Sequence, residues 1–133
     1  MDRVDGTTLV SLMPFAQAIG VEVESATAAE VRGGFDWAPE RCTTGRVVHG
    51  GALMALADCL GAACAYLNLP DGAVTSTIES KTNFFRGLRG GRATATSTPL
   101  HVGRTTIVVQ TDIRDDRGKR VALVTQTQAV IPK

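Results

Sequence analysis

The sequence predicts an α+β fold in which an antiparallel sheet of about six strands packs against one long apolar helix. Three observations predict this fold. One nearly uninterrupted apolar stretch, residues 50–67, is long enough for about five helical turns. Two segments that alternate apolar and polar residues precede it, and four strand-like segments follow it. The later segments are joined by short glycine-containing turns, which are typical of antiparallel strands.

The segments before the long helix predict a short helix and two strands. Residues 7–20 predict an N-terminal helix with Met13 and Phe15 on its apolar side, Pro14 in its first turn and Gly20 at its end. Residues 20–26 and 29–36 alternate on either side of a small-residue turn, which predicts two strands. Residues 38–46 are rich in turn-forming residues and predict a loop.

The long helix is rich in Ala, Leu and Met and contains no β-branched residue, so its helical propensity is high. Pro70 and Gly72 end it. Strands are predicted at residues 75–87, 92–102, 104–115 and 119–131. A helix that is apolar around most of its circumference belongs inside a protein. One sheet covers only one side of it, so the sheet must curl around it or a second subunit must cover it.

Composition limits the class of protein. The 133 residues have the size of one domain, 1–133, with 44% apolar and 20% charged residues, which is typical of a globular chain. The balance of 14 basic and 13 acidic residues argues against a general nucleic-acid binder. The longest apolar run is interrupted by Asp58 and is too short to span a membrane.

The cysteine pattern indicates neither disulfides nor a metal site. There are three cysteines, and no secretory signal pattern precedes them, so we expect a reducing cytoplasm. Cys59 and Cys64 are five residues apart, which turns them away from each other on a helix. His49 and His101 form no ligand spacing with Cys42. We therefore expect no metal and no cofactor.

The start of the long helix is a candidate for binding an oxyanion. In VVHGGA, Gly50 and Gly51 stand where the helix begins. The first amides of a helix lack internal partners and carry a partial positive charge. Glycine lets a ligand approach the backbone closely, so the Gly50 amide could stabilise a carbonyl oxygen that becomes negative. The alternative is that the two glycines only cap a tightly packed helix.

Asp58 is the second candidate, because a carboxylate on a buried helix is costly unless it is paired, hydrogen-bonded or functional. No Arg or Lys lies between Arg46 and Lys81, so no cation on this helix can pair with it. One interpretation puts Asp58 on a solvated stripe of the helix or in a hydrogen bond with a threonine. The other makes it a catalytic carboxylate. The residues by themselves leave both open.

Geometry connects these two candidates across a subunit interface. Asp58 is eight residues beyond Gly50, which is roughly 12 Å along the helix axis. One carbonyl group cannot easily contact both in one chain. An antiparallel copy of the helix, from a second subunit, could bring its own Asp58 beside the first subunit's Gly50, and a two-fold dimer would hold two identical composite sites.

These residues resemble those of a known family. The motif HGG followed by ALxxLAD on a long apolar helix, with two strands before it and four after it, resembles the hotdog-fold acyl-CoA thioesterases. It is most similar to the phenylacetate-pathway branch of the 4-hydroxybenzoyl-CoA thioesterase superfamily, over residues 12–131. The resemblance implies a curved sheet wrapped around one central helix, and homodimers joined edge to edge that often pair into tetramers.

The resemblance also implies roles for individual residues. Gly50 supplies the oxyanion-hole amide, and Asp58 of the partner subunit is the nucleophile or the general base that activates water. A Ser or Thr on the following strand helps to hold the water, and Thr77, with Ser76 beside it, matches that position. His49 shapes the helix start and bonds substrate or backbone.

The chain departs from the family pattern before the helix. Many members carry Asn six residues before the histidine, where it orients the thioester or the water. This chain has Thr43 there, which is shorter and has no amide group. The departure bears on rate and substrate range, whereas the oxyanion hole and the carboxylate are unaffected.

Coenzyme A carries phosphate groups, so a basic cluster is expected. FFRGLRGGR supplies Arg86, Arg89 and Arg92, and HVGRT adds Arg104 beside Thr105. Arginine suits phosphate through its planar fork. We expect Arg86, Arg89 and Arg104 with Thr105 to contact CoA, although solvated turn charges are the ordinary alternative.

Gly51 is expected to let the substrate approach the helix start. Candidate acyl-pocket residues are Leu12, Met13, Phe15, Met54, Phe84 and Phe85.

The predicted function is therefore hydrolysis of an acyl-CoA to the free acid and CoA. Two other functions stay open. The hotdog fold also hosts 3-hydroxyacyl-thioester dehydratases, although these pair a histidine with an acidic residue at a longer spacing. A non-catalytic acyl-CoA-binding protein is the other, and Thr43 favours it. The acyl group, the choice between nucleophile and general base for Asp58, and the choice between dimer and tetramer are not determined by the sequence.

Overall fold

A computed structural model describes residues 5–133; residues 1–4 of the predicted domain lie outside the described residues. The predicted α+β hotdog arrangement is confirmed: six antiparallel strands form one curved sheet that packs on one long helix. The α-helices are α1 (Gly6–Ser11), α2 (Pro14–Ala18) and α3 (Gly50–Tyr66). The strands are β1 (Glu22–Ala26), β2 (Val31–Asp36), β3 (Ala73–Phe84), β4 (Arg92–Val102), β5 (Thr106–Arg114) and β6 (Arg120–Pro132).

The strand order across the sheet is β1-β2-β4-β5-β6-β3. After β2 the chain crosses the sheet as α3 and joins the far edge as β3, which pairs only with β6 among the described strands. The crossing brings α3 into contact with all six strands. β3 is twelve residues long, so a long row of backbone groups faces outward along one edge of the sheet.

The core lies between α3 and the inner face of the sheet. Leu56 and Leu60 of α3 are fully buried. They pack with inward-facing side chains of the strands, which include Val31, Phe35, Ile107, Val109, Ile113 and Val124. Strand residues alternate between the two faces, so apolar positions on β4–β6 recur at every second residue. Only one side of α3 is covered. Met54, Asp58 and Tyr66, which are four and eight residues apart, form an exposed stripe on its other side.

The predicted N-terminal helix is divided into two. Residues 7–20 were expected to form one helix, but α1 ends at Ser11 and α2 begins at Pro14. Proline has no N–H and restricts the residue before it, so Met13 takes a non-helical backbone conformation and the helix cannot run through. Pro14 stands in a first turn, as expected, but in that of the second helix.

A β-bulge in β3 changes which side chains face the helix. Thr77 pairs with Gln128 and Glu79 pairs with Thr127, so Ile78 is an additional residue between them. Before the bulge odd-numbered residues face inward, and after it even-numbered residues do.

Among residues 5–133, no helix is long and apolar enough to cross a membrane.

The buried side of α3 gives a stability prediction. We expect Leu60→Ala to lower the free energy of unfolding by about 2–5 kcal/mol, because it leaves a cavity between the helix and the sheet. Urea unfolding measures this change. Leu100→Ala is the control: Leu100 is 57% exposed, so its truncation should change stability by only about 0.5 kcal/mol. Equal losses for both variants would contradict this description of the core.

Candidate active site

Asp58 lies on the exposed stripe of α3 and is held through one carboxylate oxygen. Thr77 Oγ1 donates a hydrogen bond to Asp58 Oδ1 at 2.8 Å, and Gln126 Nε2 donates to the same oxygen at 2.9 Å. Among residues 5–133, no group donates to Oδ2. In the protomer Asp58 is thus both exposed on the helix and hydrogen-bonded to a threonine, the two environments that the sequence left open for it. That arrangement also leaves one oxygen free for chemistry.

The threonine is itself oriented by a second glutamine. Gln128 Nε2 donates to Thr77 Oγ1 at 2.7 Å, and Thr75 Oγ1 lies 3.1 Å from Gln128 Oε1. Since Thr77 accepts from Gln128, its own proton is available to Asp58. The hydrogen bonds therefore point in one direction, from Gln128 to Thr77 and from Thr77 to Asp58. The carboxylate is the acceptor both for Thr77 and for Gln126.

Phe84 packs at the start of α3. A Cβ added at Gly50 would lie 3.1 Å from Phe84 Cζ, so the aromatic ring covers the side of the helix where glycine leaves space. Thr77 and Phe84 are seven residues apart, an odd number, and a regular strand would put them on opposite faces. The extra residue at Ile78 restores a common face, so that both side chains meet α3. The sequence contains no clear signal for this bulge.

The start of α3 is capped by His49. Its Nδ1 accepts a hydrogen bond from the amide of Gly51 at 2.8 Å, which leaves the proton of the neutral ring on Nε2. The expectation that His49 shapes the helix start is met by this bond. No acceptor within residues 5–133 meets the amide of Gly50, so that N–H is free for a ligand.

Two candidate functional residues, Gln126 and Gln128, were not predicted from the sequence. Gln126 and Gln128 are fully buried on the inner face of β6, between the apolar positions Val124 and Val130. The signal was present in the segment VTQTQAV, where the two glutamines alternate in phase with the buried valines. An alternating strand with polar residues at its inward positions indicates a buried polar network rather than an ordinary core.

The predicted basic residues fall into two groups. Arg86 and Arg89 line a groove of about 460 Å³ beside the β3–β4 connection, with Asp115, Asp116 and Arg117. Arg104 and Thr105 lie in the turn after β4, whose eleven residues extend roughly 33 Å. Within one protomer the structure therefore does not bring Arg104 and Thr105 to Arg86 and Arg89.

Arg92 is occupied elsewhere. On the outer face of the sheet its guanidinium bonds Glu22 at 2.9 Å and Asp36 at 3.1 Å. Partial burial opposes the charged form of Arg92, but these two carboxylates outweigh it and raise its pKa above the usual value. Arg92 therefore belongs to an ion-pair network of β1, β2 and β4.

Thr43 and Ser76 are not drawn into the site of the protomer. Thr43 is exposed in the loop before α3, and its amide donates to the carbonyl of Val47 at 2.8 Å. Ser76 is adjacent to Thr77, so its side chain projects from the opposite face of β3. The Ser76 hydroxyl therefore cannot assist Thr77 at Asp58.

An apolar pocket of about 180 Å³ lies one to two turns beyond Asp58 along α3. Its lining comprises Leu9, Leu12, Met13, Ala62, Ala63, Tyr66 and Thr75. A wider groove of about 580 Å³ lies on the outer face of the sheet, lined by Arg32, Thr96, Gln110 and Asp112 among others. Of the two, the apolar pocket is the one that shares the helix of the carboxylate, since its lining residue Ala62 lies one turn beyond Asp58. Within residues 5–133, no three His, Cys, Asp or Glu side chains are grouped to hold a metal.

Comparison with known proteins agrees with this arrangement. Residues 45–122 match the family model described as the thioesterase superfamily. A structure of a mutant thioesterase PA1618 from Pseudomonas aeruginosa is similar, with a TM-score of 0.92 and 28% identity, over 98% of this chain and 96% of that chain. The family match includes Gly50, Asp58 and Thr77 and ends before Gln126.

Curated relatives match over a shorter stretch. PA1618, which is named an esterase, is 38% identical over 87 residues, or 65% of this chain and 60% of that protein. The 1,4-dihydroxy-2-naphthoyl-CoA hydrolase of Escherichia coli is 31% identical over 85 residues, or 64% of this chain and 62% of the hydrolase. The match thus covers about 60% of the length of each of these two relatives.

The histidine cap gives a prediction for the helix start. We expect His49→Ala to lower the free energy of unfolding by about 1 kcal/mol, because the amide of Gly51 loses its acceptor. His49→Asn is the matched control, since an Asn side chain can accept the same bond and should preserve stability to within about 0.5 kcal/mol. Urea unfolding of the three proteins measures the difference. If the Ala variant is as stable as the wild type, the cap has no energetic role.

Proposed function

Since the chain belongs to the thioesterase superfamily, we propose that it hydrolyses an acyl-CoA thioester to the free acid and coenzyme A. The observation that carries the proposal is the Asp58 carboxylate, which is fixed by two hydrogen bonds to Oδ1 while Oδ2 stays free on an exposed helix face. The relative named as a naphthoyl-CoA hydrolase supports a CoA thioester as the class of substrate. The resemblance to the phenylacetate-pathway branch is part of the same proposal.

The chemistry needs an activated oxygen and a place for negative charge. As general base, Asp58 takes a proton from water, and the water oxygen adds to the thioester carbon. The carbonyl oxygen becomes negative and is stabilised by the Gly50 amide. The intermediate then expels the CoA thiolate by breaking the C–S bond, and the proton passes to sulfur. As nucleophile, Asp58 would instead attack the thioester carbon and expel the CoA thiolate, which forms a mixed anhydride. Water then hydrolyses the anhydride to the free acid and restores the Asp58 carboxylate. Both routes need the same free oxygen.

A second subunit completes the site in this proposal. Gly50 and Asp58 are separated by roughly 12 Å along α3 in one chain. The exposed stripe carries Met54 and Tyr66. β3, whose outer edge has no partner among the described strands, carries the exposed side chains of Ile78 and Phe84. Exposed apolar groups beside a free strand edge favour edge-to-edge pairing with a second copy.

Two-fold symmetry of such a pair would place the helix start of one subunit beside the carboxylate of the other. Antiparallel pairing of two β3 strands brings two α3 helices side by side in opposite directions, so Asp58 of the partner subunit approaches Gly50. The same pairing brings Arg104 of the partner subunit to the end of the sheet that carries Arg86 and Arg89. The two groups of basic residues, separate within a protomer, would then serve one CoA. We also propose that two such dimers associate into a tetramer.

Complementation between two defective variants tests the composite site. We expect Asp58→Asn to reduce kcat at least about 100-fold through loss of the base or nucleophile. Gly50→Pro should reduce kcat as strongly, because proline removes the N–H that would stabilise the oxyanion. The variant should still fold, because proline suits the first position of a helix and His49 already has the extended backbone that proline requires. The measurement is thiol release from short-chain, long-chain and aryl acyl-CoAs.

Mixing the two inactive variants under subunit exchange should restore about a quarter of wild-type activity. Half of the random dimers are then mixed, and each mixed dimer holds one intact site and one doubly defective site. Thermal unfolding of each variant is the folding control. Turnover by Asp58→Asn within threefold of wild type rules out the carboxylate role. Two inactive, folded variants that fail to complement rule out the shared site.

The competing functions have distinct outcomes in the same assays. Crotonyl-CoA that loses its conjugated absorbance without releasing thiol would indicate a hydratase or dehydratase. Tight acyl-CoA binding without release of thiol by the wild-type protein would indicate a binding protein. Either result contradicts the proposed hydrolysis.

The CoA phosphates give a separate prediction. We expect Arg89→Gln to raise KM for an acyl-CoA by about tenfold, because a charge-assisted hydrogen bond to phosphate is lost. KM for the matching acyl-pantetheine thioester, which has no phosphate, should not change. Arg32→Gln on the outer face of the sheet is the control variant. Equal effects of Arg89→Gln on both substrates would contradict a phosphate contact.

A further inference from the structure

Gln126 occupies a place in the core that an apolar side chain would fill at lower cost. It is fully buried on β6, and its inward-facing neighbours on the same strand are Val124 and Gln128. A buried amide is costly unless its hydrogen bonds are satisfied. One of them is satisfied, since Nε2 donates to Asp58 Oδ1 at 2.9 Å. The other is not, since Oε1 is buried with no hydrogen-bond partner within residues 5–133.

The unsatisfied oxygen shows which interaction fixes the amide. Rotating the amide group by half a turn would place Oε1 against the carboxylate oxygen of Asp58, where two acceptors repel each other. The observed orientation therefore leaves Oε1 unpaired, at about 1–3 kcal/mol for a buried acceptor, and keeps the N–H on the carboxylate. The contact with Asp58 determines the orientation of Gln126.

Gly61 makes room for this contact. It lies in α3 three residues beyond Asp58, and an added Cβ there would overlap Oε1 of Gln126. Glycine within a helix costs about 0.5–1 kcal/mol relative to alanine. Two unfavourable features, a helical glycine and an unpaired buried oxygen, therefore occur together at the Gln126 amide, which contacts the carboxylate.

We propose that Gln126, seated beneath Gly61, is a positioning residue that holds Asp58 by Oδ1 and directs Oδ2 towards the reacting thioester or water. The inference rests on the proposed function, because it gives Asp58 a catalytic role. Gln128 acts in parallel through Thr77, whose proton it directs to the same oxygen. Gln126 and Gln128, which lie on β6 beyond the end of the family match at residue 122, thus set the geometry of a residue on α3.

The test compares Gln126→Met with Thr125→Val. Methionine keeps the volume and shape of glutamine but has no N–H, and Thr125 is the neighbouring residue on the outer face of β6. We expect Gln126→Met to fold with unchanged or higher Tm, to lower kcat by about 10–100-fold and to change KM less than about threefold. Gly61→Ala should produce the same kinetic pattern with Gln126 and Asp58 both present. Thr125→Val should keep kcat within about twofold of wild type.

The ¹³C resonance of the Asp58 carboxylate gives a measurement independent of turnover. Loss of one of its two donors should shift this resonance in Gln126→Met and in Gly61→Ala, and leave it in place in Thr125→Val. If Gln126→Met is folded and keeps both the kcat and the resonance of the wild type, the positioning role is wrong. If the resonance shifts but the wild-type protein releases no thiol from any acyl-CoA, the contact stands and the proposed hydrolysis fails. A lowered Tm with unchanged kcat in Gln126→Met would show that Gln126 serves only stability and would overturn the proposal.

Discussion

The incomplete covering of α3 is the constraint on which the rest of the structure depends. The helix has more apolar surface than one side requires, and the curved sheet buries the side that contains Leu56 and Leu60. What remains is the exposed stripe of Met54, Asp58 and Tyr66. Because the carboxylate lies on that stripe, it avoids the cost of full burial and stays accessible. The same stripe is apolar on both sides of the carboxylate, which is the physical reason to expect a second copy against it.

The sheet determines the geometry of the carboxylate as well as covering the helix. Both donors to Asp58 come from strands, Thr77 from β3 and Gln126 from β6, and these strands are hydrogen-bonded neighbours although they are distant in sequence. The bulge at Ile78 then turns β3 so that Phe84 also reaches the start of α3. Because of this one-residue bulge, the same edge strand contacts both halves of the candidate site: Thr77 contacts the carboxylate, and Phe84 contacts the helix start.

Several features of the site could be predicted because they depend on local sequence. The apolar run made α3 evident, the pair of glycines marked its start, and the single carboxylate on it identified Asp58. Thr77 was predicted through the family resemblance as a residue that helps to hold the water, and the structure shows its hydrogen bond to Asp58. The division of the N-terminal helix at Pro14 was missed because apolar periodicity favoured one helix, whereas the missing N–H of proline prevailed. Gln126 was missed because the strand pattern was interpreted as secondary structure and not as a face with polar side chains inside.

The sequence by itself determined the fold class, the number of strands and their succession along the chain, and the residue types of the candidate site. These follow from local periodicity, from glycine and proline, and from the rarity of a carboxylate on an apolar helix. Only the tertiary structure decided which strands are neighbours, where β3 bulges, and that Arg104 lies far from Arg86 within one protomer. It also decided that Gln126 lies beneath Gly61 and reaches Asp58. Such contacts join residues far apart in the chain, and strand order and register, which no local pattern encodes, bring them together.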